Sequence, residues 1–203
     1  MDYIKISSKN VIDKTVTALK DNGINVHIAK NSDDAKKIVF NIIPVGAEVM
    51  TMTSVTLDTL GISTEINNSG NYDSVRKKLD KMDRKTQNDE MQKLGAAPNW
   101  AVGSVHAITE DGKIMIASNT GSQLPAYVYG ANNVIFVAGM HKIVKDMDQG
   151  FKRIYEHSLV LESERARKAY GVLGSSVNKV LIINKEIKPN RINLVLVPEV
   201  IGF

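Results

Sequence analysis

Hydroxyl and amide side chains surround a short apolar run in residues 103–123, which read GSVHAITEDGKIMIASNTGSQ. Residues 113–117 have the composition of a buried strand, and polar groups at the ends of such a strand are typical of small-molecule pockets in α/β proteins. One polar residue is enough to cap a following helix, so the excess of them favours ligand binding over capping by Asn119 or Ser122. The predicted ligand-binding residues of this segment are His106, Asn119, Thr120, Gly121, Ser122 and Gln123.

Glu110 is a carboxylate of this segment, directly before Asp111 and Gly112. A carboxylate at the edge of a pocket can act as a general base or as a nucleophile, particularly where partial burial raises its pKa. The position also suits a turn residue that accepts backbone hydrogen bonds, and Asp111 is better explained as part of a hairpin turn. Both interpretations of Glu110 stay open.

A second hydroxyl-rich junction lies at residues 51–56, where a predicted strand passes into a short helix. Thr53, Ser54 and Thr56 can bind an anionic group at the start of that helix. They are equally suited to cap the helix, so the sequence does not separate the two roles.

A third junction follows the strongest predicted strand, VIFVA at residues 134–138. Ligands collect at the carboxyl ends of parallel strands, so Gly139, His141 and Lys142 are expected near the pocket. His141 can transfer a proton. A position on the surface is the alternative for both side chains, and it suits Lys142 better than His141.

Composition excludes several classes of function. The 203 residues contain no cysteine, which excludes disulfides, thiolate nucleophiles and cysteine-held iron–sulfur clusters. No apolar run approaches the ~18 residues that span a bilayer, and the N-terminal residues lack the apolar region of a secretory signal. We therefore expect a cytoplasmic protein without a membrane partner.

The net charge of +4 raises the question of nucleic-acid binding. Residues 76–85, RKKLDKMDRK, hold six positive residues and two aspartates. A nucleic-acid site would pair such a stripe with aromatic residues or a recognition motif, but aromatic content is 5% and no motif is present. The stripe is interpreted as a solvated helix face, and nucleic acid is not an expected partner.

Apolar spacing predicts helices and strands in alternation. Helices are predicted around residues 11–19, at 32–42 with Ser32 as the cap, from 75 towards 94, and after 139 with an apolar face from Ile143 to Tyr155. Strands are predicted at residues 24–28, 48–53, 113–117, 134–138, 180–183 and 192–197, the last two joined by a turn around Pro189 and Asn190. This alternation indicates an α/β fold with a mostly parallel sheet, and the lack of a linker or repeat predicts a single domain over residues 1–203.

Familiar catalytic and cofactor motifs do not occur. The chain has no glycine-rich dinucleotide loop, no P-loop and no nucleophile elbow. Its four histidines show no metal-ligand spacing. We predict neither a bound metal nor a resident cofactor.

Two long stretches, residues 107–123 and 129–154, resemble the LUD (lactate-utilisation) domain family. The most characteristic part is the segment GMHKIVKD after the VIFVA strand; residues 53–57, 60–62 and the ending RINLVLVPEVIGF also fit. The resemblance implies a three-layer α/β/α fold with a Rossmann-like sheet, as in sugar-phosphate isomerases and CoA transferases. Some members of that superfamily use a glutamate closely followed by glycine, which points to Glu110 and Gly112.

Many members of the family carry a cysteine-rich insert before the last strands, whereas residues 169–179 here contain no cysteine. The resemblance therefore implies iron–sulfur proteins as partners rather than a cluster in this chain.

The leading hypothesis is a protein of lactate or organic-acid utilisation that binds a small anionic metabolite between residues 53–56 and 118–123. The metabolite is a sugar phosphate, a hydroxy acid or a CoA thioester, and the catalytic candidates are Glu110 as base or nucleophile and His141 as proton donor. The alternative is a non-catalytic accessory or regulatory subunit of an iron–sulfur lactate-oxidising system. The sequence does not decide between enzyme and accessory subunit, and it is compatible with a homodimer.

Overall fold

The computed structural model describes residues 2–203, which form strands, α-helices and three shorter helical turns. The strands are β1 (Asn25–Ile28), β2 (Glu48–Thr51), β3 (Asp73–Ser74), β4 (Trp100–Gly103), β5 (Ala107–Thr109), β6 (Ile114–Ser118), β7 (Asn133–Gly139), β8 (Ile143–Val144), β9 (Lys179–Ile183) and β10 (Ile192–Val197). The helices are α1 (Lys9–Asp21), α2 (Ser32–Ile42), α3 (Val55–Thr59), α4 (Ile62–Asn68), α5 (Val75–Asp80), α6 (Asn88–Ala96), α7 (Met147–Arg153) and α8 (Leu159–Tyr170). The turns are π-helical at Ala126–Gly130 and Ile154–Ser158 and 3₁₀ at Met140–Lys142.

The larger sheet has six strands in the order β1-β10-β7-β4-β2-β3, and every neighbouring pair is parallel. Helices cover the sheet, so the predicted three-layer α/β/α fold with a Rossmann-like sheet is confirmed. Since all six strands run in one direction, their carboxyl ends lie along a single edge. That edge is where a ligand site is expected in such a fold.

Alternate residues of the central strands enter two different cores, as the pleat of a strand requires. In β10, Leu194 and Leu196 pack into the core that includes α1 and the smaller sheet. Val195 and Val197 pack into the core formed with α2, α3 and α4. Both faces of β10 are therefore buried, which explains its uninterrupted apolar sequence.

The smaller sheet was not predicted, and it has the strand order β8-β5-β6-β9. β5 and β6 form an antiparallel hairpin, β9 pairs antiparallel with β6, and β8 pairs parallel with β5. β9 and β10, predicted as strands joined by a turn, consequently belong to different sheets. Asn190 in the connection has a φ of 61°, which suits the turn expected there.

Several predicted element boundaries are wrong. Ile143 and Val144 form strand β8, and the helix begins only at Met147, capped by Asp146. An apolar pair fits a helix or a strand equally well, so pairing with β5 decides its structure. The cap of α2 is Asn31, whose side chain accepts a hydrogen bond from Asp34. The long helix predicted from residue 75 is two helices, α5 and α6.

None of the helices in residues 2–203 combines the length and the apolar character that crossing a membrane requires.

Arg191, directly before β10, is buried and holds the π-helical turn at Ala126–Gly130 against the sheet. Its guanidinium donates hydrogen bonds to the carbonyl oxygens of Ala126, Tyr127 and Ala131 at 2.9–3.1 Å. It also forms a 2.8 Å ion pair with Glu186. This one side chain satisfies three backbone oxygens and one partly buried carboxylate, so it fixes the segment that carries Tyr127.

We expect Arg191→Met to lower the free energy of unfolding by about 3–5 kcal/mol, because a partly buried carboxylate and three carbonyl oxygens lose their partner. Urea denaturation measures the change. Lys185→Met is the matched control, since Lys185 is exposed on the same connection and we expect an effect within about 0.5 kcal/mol. Equal stability of the two variants would contradict the role given to Arg191.

Candidate functional site

A cavity of about 1010 Å³ lies beside the carboxyl ends of β2 and β4, between the β5–β6 hairpin and helices α6 and α8. Its wall includes both of the hydroxyl-rich segments that the sequence singled out. The predicted site residues that line it are Thr53, Ser54, Thr56, His106, Asn119, Thr120, Gly121, Ser122, Gln123 and Lys142. The fold therefore brings together residues that are up to 89 positions apart in the sequence.

Lys142 lies at the base of the cavity and is only 1% exposed. Its Nζ atom is 3.1 Å from the main-chain oxygen of Val105, 3.3 Å from that of Phe203, 3.1 Å from Ser104 Oγ and 3.2 Å from Thr56 Oγ1. None of the four partners is an aspartate or glutamate side chain. Burial, reinforced by the charge of Arg153, holds the pKa of Lys142 well below its ordinary value of 10.5.

Residues 201–203 pack against Thr56. Thr56 Oγ1 lies 3.4 Å from the carbonyl oxygen of Ile201 and 3.2 Å from Ser104 Oγ. A Cβ atom on Gly202 would lie 2.1 Å from Thr56 Oγ1, and the residue has a φ of +63°. Only glycine fits here, which lets residues 201–203 close one side of the Lys142 site.

His106 faces the cavity in a defined tautomer. Its Nδ1 atom accepts a hydrogen bond from the backbone N–H of Ala117 at 3.1 Å, which leaves the ring proton on Nε2. Burial, with the nearby charges of Lys142 and Arg153, lowers the pKa of His106 to about 3. The ring is therefore neutral at pH 7 and serves as a hydrogen-bond donor through Nε2.

Arg153 is completely buried directly behind this wall, at the last residue of α7. Its Nη1 atom donates to the carbonyl oxygen of His106 at 2.7 Å and to Ser158 Oγ at 3.0 Å. Within residues 2–203, its Nε and Nη2 atoms have no hydrogen-bond partner, and no aspartate or glutamate side chain forms an ion pair with Arg153 or Lys142. Burial lowers the pKa of Arg153 to about 10, so it stays charged at pH 7.

The loop after β6 is held by its own polar groups. Ser118 Oγ donates to Gln123 Oε1 at 2.9 Å and accepts from the backbone N–H of Gly121 at 2.8 Å. The helical turn that follows has no side-chain cap, so Asn119 and Ser122 do not perform the capping role that the sequence left open. In the other loop, Ser54 does cap α3.

The charged stretch 76–85 contributes to the cavity, although it was predicted only as a solvated helix face. Most of its charges are solvated, as predicted, but Arg76 and Arg84 line the cavity wall. Arg76 Nη2 donates to the carbonyl oxygen of Thr51 at 2.8 Å. The available signal was the helical spacing of Arg76 and Leu79, which places both on one face of α5.

Other lining residues carried no clear signal in the sequence. They are Ser104, Tyr127, and the Glu162–Arg165 pair of α8, whose side chains form two hydrogen bonds of 2.7 Å. Serine, tyrosine and ion-paired helix residues occur throughout proteins, so only the fold distinguishes these.

Glu110, His141 and Gly139 are the predicted site residues that do not line the cavity. Glu110 lies at the β5–β6 turn, where its carboxylate forms a 3.0 Å ion pair with Lys14 of α1. His141 is 3% exposed, and neither ring nitrogen has a well-formed hydrogen bond within the described chain. Gly139 packs so closely that a Cβ atom would lie 2.5 Å from His141 Nδ1. The catalytic roles of Glu110 and His141 stay predictions.

No cluster of three histidine, aspartate or glutamate side chains that would suit a metal ion occurs in the described part of the chain.

The LUD domain family matches residues 12–197. The chain belongs to the LUD domain family. This membership supports a role associated with lactate utilisation, to which the name of the family refers. Among solved structures, this LUD domain is similar to a DUF162 family protein from Deinococcus radiodurans, with a TM-score of 0.57 and 9% sequence identity. The match covers 95% of this chain and 99% of that one, and at this identity it establishes the shared fold alone. No curated protein matches the chain in sequence.

The burial of His141 predicts a pH-dependent stability. Burial, with the charges of Arg153 and Lys142, lowers its pKa from 6.5 to about 3, so the unfolded chain takes up a proton at a higher pH than the folded protein does. The free energy of unfolding therefore falls as the pH decreases from 6.5 towards 3, and at pH 5 His141 accounts for a loss of about 2 kcal/mol.

Urea denaturation at pH 7 and pH 5 checks this expectation. We expect the loss between the two pH values to be smaller by about 2 kcal/mol in His141→Leu than in the wild type. Met140→Leu, a buried neighbour that does not titrate, is the control and retains the full loss. A wild-type pH dependence in His141→Leu would contradict the assignment.

Proposed function

We propose that the cavity binds a small anionic metabolite and that this binding underlies the role of the protein in the utilisation of lactate or related organic acids. The observation that carries the proposal is the pair of buried basic side chains, Lys142 and Arg153, neither of which forms an ion pair with an aspartate or glutamate side chain in residues 2–203. A buried charge is costly unless it is paired, and a bound anion would supply the missing negative charge.

Hydrogen-bond donors at the base of the cavity support the same proposal. His106 presents an Nε2–H group, and Ser104 presents a hydroxyl next to Lys142. Donors of this kind, held in place by the protein, bind carboxylate or phosphate oxygens without needing to reorganise. Arg76 and Arg84 extend the positive surface away from Lys142.

The size of the cavity bears on the class of metabolite. Its volume of about 1010 Å³ lies at the upper end of the ~300–1,000 Å³ typical of small-molecule sites. This space admits a sugar phosphate or part of a CoA thioester as well as a hydroxy acid, so these three classes form the test panel.

We expect a member of the panel to raise the melting temperature of the wild type, since a ligand at ~100 times its Kd adds about 2.7 kcal/mol of stability. Isothermal titration then gives the affinity of that ligand. Arg76→Met is expected to weaken binding about tenfold, which corresponds to about 1.4 kcal/mol. Lys77→Met is the matched control, because Lys77 is exposed on the same helix and does not line the cavity.

Two results would count against the proposal. One is the absence of any thermal shift across the three classes of anion. The other is an equal affinity of Arg76→Met and Lys77→Met, which would place the ligand elsewhere on the protein.

The remaining expectations lie outside this proposal and stay predictions. They concern catalysis by Glu110 and His141, iron–sulfur partner proteins, a homodimer, a single-domain chain and a cytoplasmic location. Turnover of the bound ligand by the protein alone would favour an enzyme, whereas binding without turnover would favour an accessory or regulatory subunit.

A further inference from the structure

The cavity has two basic regions, which contact different strands of the larger sheet. The inner region is its base, where Lys142 Nζ donates to the main-chain oxygen of Val105 after β4. The outer region contains Arg76 of α5, whose Nη2 atom donates to the main-chain oxygen of Thr51 at the end of β2. The two side chains share no hydrogen-bond partner.

The strand register gives the separation of the two regions. Thr51 lies opposite Val102 in the β2–β4 pair, and Val105 is three residues further along the chain. Three residues of extended chain span about 10 Å, so the inner and outer basic groups are separated by roughly that distance. The N···O distance of a hydrogen bond is about 3 Å, so a single carboxylate does not contact both groups.

Arg76 is held in a position suited to bind an anion. It is half-buried, and the hydrogen bond to Thr51 fixes its side chain. This bond uses one of the five N–H donors of a guanidinium. Within residues 2–203, no aspartate or glutamate forms an ion pair with Arg76 or with Arg84, an exposed arginine that also lines the cavity. A side chain fixed in this way loses little conformational freedom on binding.

The acidic side chains of the wall do not cancel this charge. They are Asp58 and Glu162. Glu162 is paired with Arg165, and Asp58 is exposed and forms no ion pair in the part of the chain that the structure describes. Lysine and arginine side chains therefore outnumber carboxylates along the wall, and a cleft of this kind concentrates anions.

We propose that the ligand of this cavity is an elongated organic acid with a second anionic group, a carboxylate or a phosphate, at its far end. Its first carboxylate lies at the base of the cavity beside Ser104 and His106, and Arg76 binds the second group. This inference rests on the proposed function, because it requires anion binding at the base. It narrows the ligand to molecules with two separated negative charges.

Length and charge distinguish this class from the simplest hydroxy acids. A three-carbon hydroxy acid such as lactate has one carboxylate, so binding at the base leaves Arg76 without an anionic partner. Most of the cavity of about 1010 Å³ would then hold water. A second anionic group on the same molecule forms its own charge-assisted hydrogen bond. Because the two groups are linked, the second contact forms within the complex and strengthens binding.

Matched pairs of ligands test the proposal. Succinate, glutarate and adipate are compared with butyrate, valerate and hexanoate, which have the same chain lengths but one carboxylate. Phosphogluconate, with its phosphate on the terminal carbon, is compared with gluconate. Isothermal titration of the wild type gives each Kd. In at least one pair we expect the ligand with two anionic groups to bind about tenfold more tightly, and the pair that shows this identifies the second group as carboxylate or phosphate.

Three variants locate the two anionic groups. Arg76→Met is expected to abolish the tenfold advantage, while the Kd of the ligand with one anionic group changes less than about twofold. That retained binding also shows that the variant is folded. Ser104→Ala, at the base, is expected to weaken both members of the pair. Lys77→Met, which replaces an exposed lysine of α5 outside the cavity wall, is expected to change neither.

The outcomes separate this inference from the proposed function. Equal wild-type affinity within every pair, with Ser104→Ala weakening both members, would overturn the inference and leave anion binding at the base intact. An advantage that persists in Arg76→Met, or an equal loss for both members, would also overturn it, because Arg76 would not bind the second group. Absence of binding by every ligand of the series would overturn it as well, and the thermal-shift panel would then decide the proposed function.

Discussion

The side-chain nitrogen of Lys142 joins four separate parts of the chain, and the base of the cavity depends on these contacts. Its partners come from the residues after β4, the first turn of α3 and the C-terminal residues. Lys142 itself follows β7, one of the two central strands of the larger sheet. A buried nitrogen must satisfy its hydrogen bonds within the protein, so each of these segments is constrained to lie where it does. Arg153 imposes a similar constraint on the cavity wall at His106, through its hydrogen bonds to His106 and Ser158.

Much of this arrangement was predictable because it arises from local sequence and from the rules of parallel sheets. The VIFVA strand, the strand before residue 118 and the hydroxyl-rich loops carry their own signals. Parallel strands then place the ends of β2 and β4 along one edge of the larger sheet. Arg76 could have been predicted from its helical spacing with Leu79. Arg153 could not, because a single arginine at the end of a helix gives no sign that it will be buried.

Glu110 shows why proximity in sequence does not give proximity in the fold. It lies only a few residues before the loop that lines the cavity, but β6 separates the two. A strand of five residues is about 16 Å long. The two ends of β6 therefore lie about this far apart: the loop after the strand lines the cavity, whereas Glu110 before it contacts Lys14 of α1. Whether a strand continues or reverses at such a point depends on its partners elsewhere in the chain, here β8 and β9.

The π-helical turn at Ile154–Ser158 sets the rotational register between α7 and α8. Such a turn contains one residue more than the α-helical turn it replaces, and it lets Arg153 and Ser158 meet while Leu159, Glu162 and Arg165 face the cavity. Successive residues of an α-helix are about 100° apart around its axis. Deletion of one residue from this turn would restore a regular helix and rotate all of α8 by that angle, carrying Glu162 and Arg165 off the cavity wall. The one extra residue of this π-helical turn therefore determines which face of α8 lines the cavity and would contact a ligand.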